Sequence, residues 1–92
     1  MEFTEPTSKG YTIYSKSGCT YCTKVKDLLK LLKLPYEMVN CDEYLLEDRD
    51  GFLAFIKERA GKEYKTFPMV FADAKFLGGF SETKASLAEK SD

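Results

Sequence analysis

A run of β-branched and aromatic residues, Tyr11-Thr12-Ile13-Tyr14-Ser15, gives way over a very short loop to a helical hydrophobic stripe. The pair Cys19-Thr20-Tyr21-Cys22 sits on the seam. The first run has the composition of a short buried strand. Beyond Lys16-Ser17-Gly18, the residues Cys22, Val25, Leu28, Leu29 and Leu32 share one helical face, with Lys24, Lys26, Asp27 and Lys30 off it. Leu34-Pro35 is the expected end of that helix, because proline disfavours α geometry in the residue before it.

The rest of the chain continues the alternation. Tyr36 to Cys41 reads as a second strand. A second helix is expected over about Tyr44 to Ala60, with Leu45, Phe52, Phe55, Ile56 and Ala60 inward and Gly61 as its stop. Asp48-Arg49-Asp50-Gly51 interrupts that pattern, so the helix could begin late. Met69-Val70-Phe71 and Lys75-Phe76-Leu77 flank the tight turn Ala72-Asp73-Ala74 as a hairpin. Gly78-Gly79 opens a bend, and Ser81 is the expected N-cap of a last helix running to about Glu89. Strand, helix, strand, helix, hairpin, helix gives an α/β fold: a mixed four-stranded sheet flanked by three helices. With 92 residues there is room for one core. We place the domain at 11–92, behind a polar lead-in, 1–10, expected to be partly flexible.

Composition removes several function classes. A net charge of −1 gives no electrostatic case for nucleic acid or an anionic membrane. The apolar runs are too short for a membrane span, and the first ten residues lack the hydrophobic region of a signal peptide. A cytoplasmic, reducing setting and a monomer are the expectations. Three cysteines cannot all pair internally, and a secreted disulfide framework would need more of them, in even number. In a reducing compartment a Cys-x-x-Cys reads as redox chemistry or half of a metal site. Zinc would want four ligands, and this chain has no His and only Cys41 to add.

At a strand-to-helix junction the pair has a specific physical use. Cys19 would meet the unsatisfied N–H groups and positive dipole end of the helix, which favour the thiolate, the nucleophilic form. Lys16, three residues upstream, adds a positive field. Cys22, one turn on, faces the same way and should be more buried and less acidic, as suits a resolving thiol. In such a cycle Cys19 attacks a substrate disulfide and Cys22 then displaces the reduced product. Two buried apolar cysteines would be the bland alternative.

The segment Ser15-Lys16-Ser17-Gly18-Cys19-Thr20-Tyr21-Cys22 resembles the active site of dithiol glutaredoxins, usually Cys-Pro-Tyr-Cys. Thr66-Phe67-Pro68 resembles that family's Thr-Val-Pro, and Gly78-Gly79-Phe80-Ser81-Glu82 its Gly-Gly turn. The resemblance runs from Tyr11 onward and implies a thioredoxin-like fold. It also implies a glutathione-disulfide oxidoreductase with glutathione as reductant and no resident cofactor or metal. By the same resemblance Pro68 would be cis, and the backbone of Phe67, beside Thr66, would pair with the cysteinyl part of glutathione like an added strand. Gly79, Phe80 and Ser81 would receive the γ-glutamyl carboxylate, and Lys16 the glycyl one; Tyr21 would wall the cleft. On local sequence alone Pro68 also reads as a strand-starting proline, and Gly79 as a plain turn.

Three positions depart from the family pattern. Thr20 stands for the common proline, Phe67 for valine, and Tyr64 for a glutamine that contacts glutathione. Cys41 matches no functional position; it reads as a strand cysteine, open to glutathionylation if exposed. The implied partners are glutathione, glutathionylated or disulfide-containing proteins, and at family level ribonucleotide reductase. One alternative is a [2Fe–2S] cluster carrier, which the missing proline permits. Another is a thioredoxin-like reductase, against which stand the tetrad and the absence of Trp.

Overall fold

The computed structural model describes residues 2–90. Its elements follow in the order β1 (Tyr11–Ser15), α1 (Thr20–Leu31), β2 (Tyr36–Asn40), α2 (Asp42–Ala60), β3 (Met69–Ala72), β4 (Lys75–Gly78) and α3 (Phe80–Lys90). The sheet order is β2-β1-β3-β4. β1 pairs parallel with β2 and antiparallel with β3, and β3 pairs antiparallel with β4. This is the expected mixed four-stranded sheet with three helices.

Every residue of β1 is buried, as befits a strand covered on both faces. Its alternation divides the core. Tyr11 and Ile13 pack with Val25 and Leu29 of α1, Val70 of β3 and Leu87 of α3. Tyr14 points the other way, to Phe52 and Ile56 of α2, Met69, Phe71 and Cys41. Phe52 is the hub of that second cluster, with its ring near those of Phe3, Tyr14, Tyr44, Phe55 and Phe67. No helix among the described residues is long and apolar enough to cross a membrane.

Several boundaries differ from the sequence expectation, each for a local reason. α1 stops at Leu31, three residues short of Leu34. Lys33 adopts a left-handed φ of 58°, Lys33 N–H donates to Lys30 O at 3.1 Å, and Leu34 N–H donates to Leu29 O at 3.0 Å. That is a Schellman ending built without glycine, and it leaves Leu32 exposed rather than on the buried stripe. α2 begins at Asp42, two residues early, and is broken where the pattern was interrupted. Asp48 has φ −154° and ψ 64°, and its Oδ1 accepts from Gly51 N–H at 3.1 Å, capping the segment that follows. Cys41 therefore lies outside β2, at the N-cap of α2. The hairpin turn is two residues, Asp73 and Ala74, both at positive φ, with Ala72 kept in the strand.

The residues before β1 are tied to the domain. The Phe3 ring packs edge-on to Tyr44 at 5.0 Å, and Tyr14 Oη donates to Thr4 O at 2.5 Å. Arg59 grips Glu5 through both carboxylate oxygens, at 2.7 and 2.6 Å, and holds that carboxyl below its ordinary range. The pair is largely solvated, so it sets the path of the segment more than it adds stability.

Candidate active site

Cys19 is the N-cap of α1, with extended backbone (φ −91°, ψ 102°), and its Sγ accepts from Cys22 N–H at 3.2 Å. Gly18, at φ 75°, turns the chain into this position, in a conformation glycine adopts without strain. Cys19 and Cys22 are joined as a disulfide, with Cα atoms 5.3 Å apart. Cys22 is 3% exposed and Cys19 is half-buried, so the expected difference in burial is present. Among the described residues no cluster of three metal-ligating side chains forms.

Two concavities flank the pair. A cleft of about 220 Å³ is lined by Tyr21, Tyr64, Phe67, Pro68, Gly79, Phe80, Ser81 and Glu82. The cysteines line an adjoining groove of about 420 Å³ together with Lys16, Ser17, Gly18 and Met38. Lys16 links the two, its ammonium 5.5 Å from the centre of the Phe67 ring, which also stacks with Phe52 at 6.3 Å. The Phe67 side chain thus supports the cation, a role that the backbone function expected of it did not suggest. Tyr21, 53% exposed, leans on Phe80 at 5.6 Å and forms one wall of the cleft. The Phe67–Pro68 peptide bond is cis. Thr66, just before it, is exposed and does not line either concavity.

The start of α3 corrects one expectation. Ser81 is not the N-cap; the helix begins at Phe80 and Gly79 takes the cap position. Glu82 reaches back so that its Oε1 accepts from Gly79 N–H at 2.7 Å, and Thr83 Oγ1 donates to Gly79 O at 2.8 Å. A glutamate at the third helical position returning to the cap amide is a known N-terminal device. The spacing Gly79-x-x-Glu82 was the signal for it. The Gly79 amide is therefore already engaged, and the N–H groups of Phe80, Ser81 and Glu82 are the ones without an i−4 acceptor in the helix.

Two residues that sequence reasoning left aside belong to the cleft. Glu82 brings a carboxylate into it. Tyr64 places its hydroxyl so close to Gly79 that a Cβ there would sit 2.9 Å from it, so a larger residue at 79 would displace the Tyr64 ring end. Cys41 lies apart from all of this. It is fully buried beneath α2, and burial pushes its thiol up to about 12. Glutathionylation in the folded protein is closed to it.

The profile of the glutaredoxin family matches residues 11–77, from the start of β1 into β4. The chain belongs to the glutaredoxin family. It is 29% identical over 85 residues to glutaredoxin 1 of Escherichia coli K12, covering 87% of this chain and 94% of that one. It is 36% identical over 67 residues to glutaredoxin 1 of Rickettsia typhi, covering 73% and 60%. Among solved structures, glutaredoxin 1 of Francisella tularensis, crystallised with cacodylate, superposes with a TM-score of 0.76 at 25% identity, covering 88% and 94%. A buckwheat glutaredoxin–glutathione complex gives 0.72 at 28%, covering 87% and 69%. The fold is thioredoxin-like, and family membership together with the Cys19–Cys22 pair makes the protein a dithiol thiol–disulfide oxidoreductase.

Proposed function

We propose that the protein reduces glutathione mixed disulfides and protein disulfides with glutathione as electron donor. The observation that carries this reading is the adjacency of a half-buried helix-cap thiol, Cys19, to a cleft walled by the Phe67–Pro68 turn and the α3 N-terminus. Glutathione has two carboxylates and one ammonium, and the cleft has matching groups. The N–H groups of Phe80 and Ser81 suit the γ-glutamyl carboxylate, and Glu82 its ammonium. Lys16 suits the glycyl carboxylate. The Phe67 backbone pairs with the cysteinyl residue, and Tyr21 closes the side. The buckwheat relative, solved with glutathione, lends support.

The Cys19 thiolate attacks the glutathione sulfur of a mixed disulfide, and the substrate leaves as its thiolate. A second glutathione thiolate then attacks the glutathione sulfur bound to Cys19. Glutathione disulfide forms, and Cys19 is released reduced. With a protein disulfide, the Cys19 thiolate attacks one sulfur, freeing the other as a thiolate and leaving a Cys19–protein mixed disulfide; Cys22 then attacks the Sγ of Cys19, expelling the reduced product and closing the disulfide seen here, and two glutathiones reopen it.

The test is reduction of the mixed disulfide of glutathione and mercaptoethanol, coupled to glutathione reductase. Turnover by wild type and Cys22→Ser but not by Cys19→Ser is expected. Turnover retained by Cys19→Ser, or absent from wild type, overturns the reading. Colour after anaerobic reconstitution with iron and sulfide would move the assignment to the cluster carrier.

A further inference from the structure

We propose that Asp42, on α2, is a positioning residue for Cys19, acting by clamping the loop that delivers the thiol to the α1 cap. The inference deepens the reading of Cys19 as nucleophile and rests on it. In the parallel pairing Ser15 lies opposite Asn40, so the loop leaving β1 and the start of α2 emerge side by side at the same end of the sheet. Cys41 N–H donates to Ser15 O at 2.8 Å and continues that pairing by one residue. Asp42 comes next. Its Oδ1 accepts from Ser17 N–H at 2.9 Å, and its Oδ2 accepts from the Ser17 hydroxyl. Asp42 is itself oriented, because its N–H donates to Asn40 Oδ1 at 2.9 Å.

Both hydrogen-bond donors of Ser17, its N–H and its hydroxyl, are thereby fixed on one carboxylate, two residues before Cys19. Only Gly18 intervenes, and glycine in a left-handed conformation is the least able of all residues to hold its own geometry. Besides the Asp42 bonds, the loop is held by the Lys16 contact with the Phe67 ring and, at Cys19 itself, by the bond from Cys22 N–H, among the described residues. The position of Cys19 over the first N–H groups of α1 then depends on the clamp. Displacement of reacting groups by an ångström can lower rates by orders of magnitude.

The clamp sets charge and geometry against each other, which makes it testable. Among the described residues, the charged groups recorded at the loop are Lys16 within it and Asp42 from α2. Met38 of β2 and Phe67, before β3, are uncharged. The Ser17 bonds, with help from Lys16, hold the Asp42 carboxyl below the ordinary aspartate range, so it is ionised at working pH. As a bare negative charge Asp42 would disfavour the Cys19 thiolate, and removing it would lower the thiol pKa. As a clamp its removal does the opposite, because Cys19 loses its place at the helix end.

The measurement is thiolate absorbance at 240 nm against pH for reduced Cys22→Ser, where Cys41 is silent until strongly alkaline pH. It is repeated with Asp42→Ala, Asp42→Asn and Ser17→Ala added, with steady-state kinetics alongside. Asp42→Ala is expected to raise the Cys19 pKa and to lower kcat/KM by roughly tenfold. Asp42→Asn, which keeps an acceptor for Ser17 without the charge, is expected to recover most of that loss, and Ser17→Ala to fall between. A Cys19 pKa that drops or stays fixed in Asp42→Ala overturns the proposal. If Asp42→Ala does not fold, an unchanged titration and unchanged kcat/KM in Ser17→Ala do the same. Turnover surviving in Cys19→Ser would instead refute the nucleophile assignment. The titration decides the clamp in either event, since it reads the Cys19 thiol and not its substrate.

Discussion

Two helices of this protein begin at a cysteine, and the two cysteines have opposite fates. Cys19 caps α1 with extended backbone, half-buried beside a groove, and its sulfur takes a helix N–H. Cys41 caps α2 with ψ near 6°, makes no side-chain cap bond, and donates to Val39 O at 3.5 Å. Both sit at the positive end of a helix dipole. If the dipole decided thiol acidity, both would be activated. Yet burial pushes Cys41 up to about 12, and the neighbouring Asp42 carboxylate adds to the rise. A thiol taken out of water keeps its proton, whatever element it begins.

The largest expected effect separates the two cysteines by activity. Cys19→Ser should lose turnover by roughly a thousandfold or more, the scale for deleting a nucleophile. Cys41→Ala should keep wild-type turnover in the same glutathione-coupled assay. A large loss in Cys41→Ala, with the melting temperature unchanged, would break the comparison.

Thiol labelling sharpens it next. With a pKa of about 12, Cys41 at pH 8 is thiolate in only about one molecule in ten thousand, before its lack of access is counted. Mass spectrometry after iodoacetamide on the reduced native protein should show Cys19 modified and Cys41 untouched until unfolding. The same shift has a signed consequence for stability. The unfolded chain loses the Cys41 proton near pH 9 and the folded chain keeps it, so stability is complete below pH 9 and falls as pH rises toward 12. Cys41→Ala should flatten the beginning of that decline. The remainder belongs partly to Tyr14, whose hydroxyl burial also holds protonated, and it should persist in the variant.

How much of this was legible in the sequence follows from the range of each interaction. β1 ran from Tyr11 to Ser15 as read, because strand composition and two-sided burial are local signals. Cys19 at the helix start, the break at Asp48 and the hairpin were legible for the same reason. The end of α1 was not, because a lysine took the left-handed position usually left to glycine. The Ser17–Asp42 clamp was not, since its partners are 25 residues apart and meet only through the register of β1 on β2. Tyr64 was noted as a departure, but its approach to Gly79 needed the hairpin to be folded. Cys41 was read as a strand residue because β2 and α2 meet without a loop.

A smaller effect tests whether burial is what silences Cys41. Phe3 packs on the cluster that contains it, against Tyr44, Phe52 and Phe55. Phe3→Ala should lower stability by about 2 kcal/mol in urea unfolding, below the range for a fully buried ring. Its Cys41 should label faster than in wild type, in step with the lost stability. Unchanged labelling despite that loss would mean the cover over Cys41 comes from α2 alone.

The smallest effect lies in the backbone of the two caps. A residue before proline must be extended, and Cys19, at ψ 102°, already is. The first helical position tolerates proline, having no intrahelical use for its N–H. Thr20→Pro should therefore fit and stabilise by roughly 0.5–1 kcal/mol, mainly by restricting the unfolded chain. The equivalent change in α2 is Asp42→Pro. There Cys41 has a ψ of 6°, which a following proline disfavours, and the Asp42 N–H bond to Asn40 would be lost. Opposite signs in thermal melts of the two variants would show that the caps differ in backbone as well as in exposure. Equal destabilisation would mean that α1 holds Cys19 by its side-chain contacts, with the extended ψ incidental.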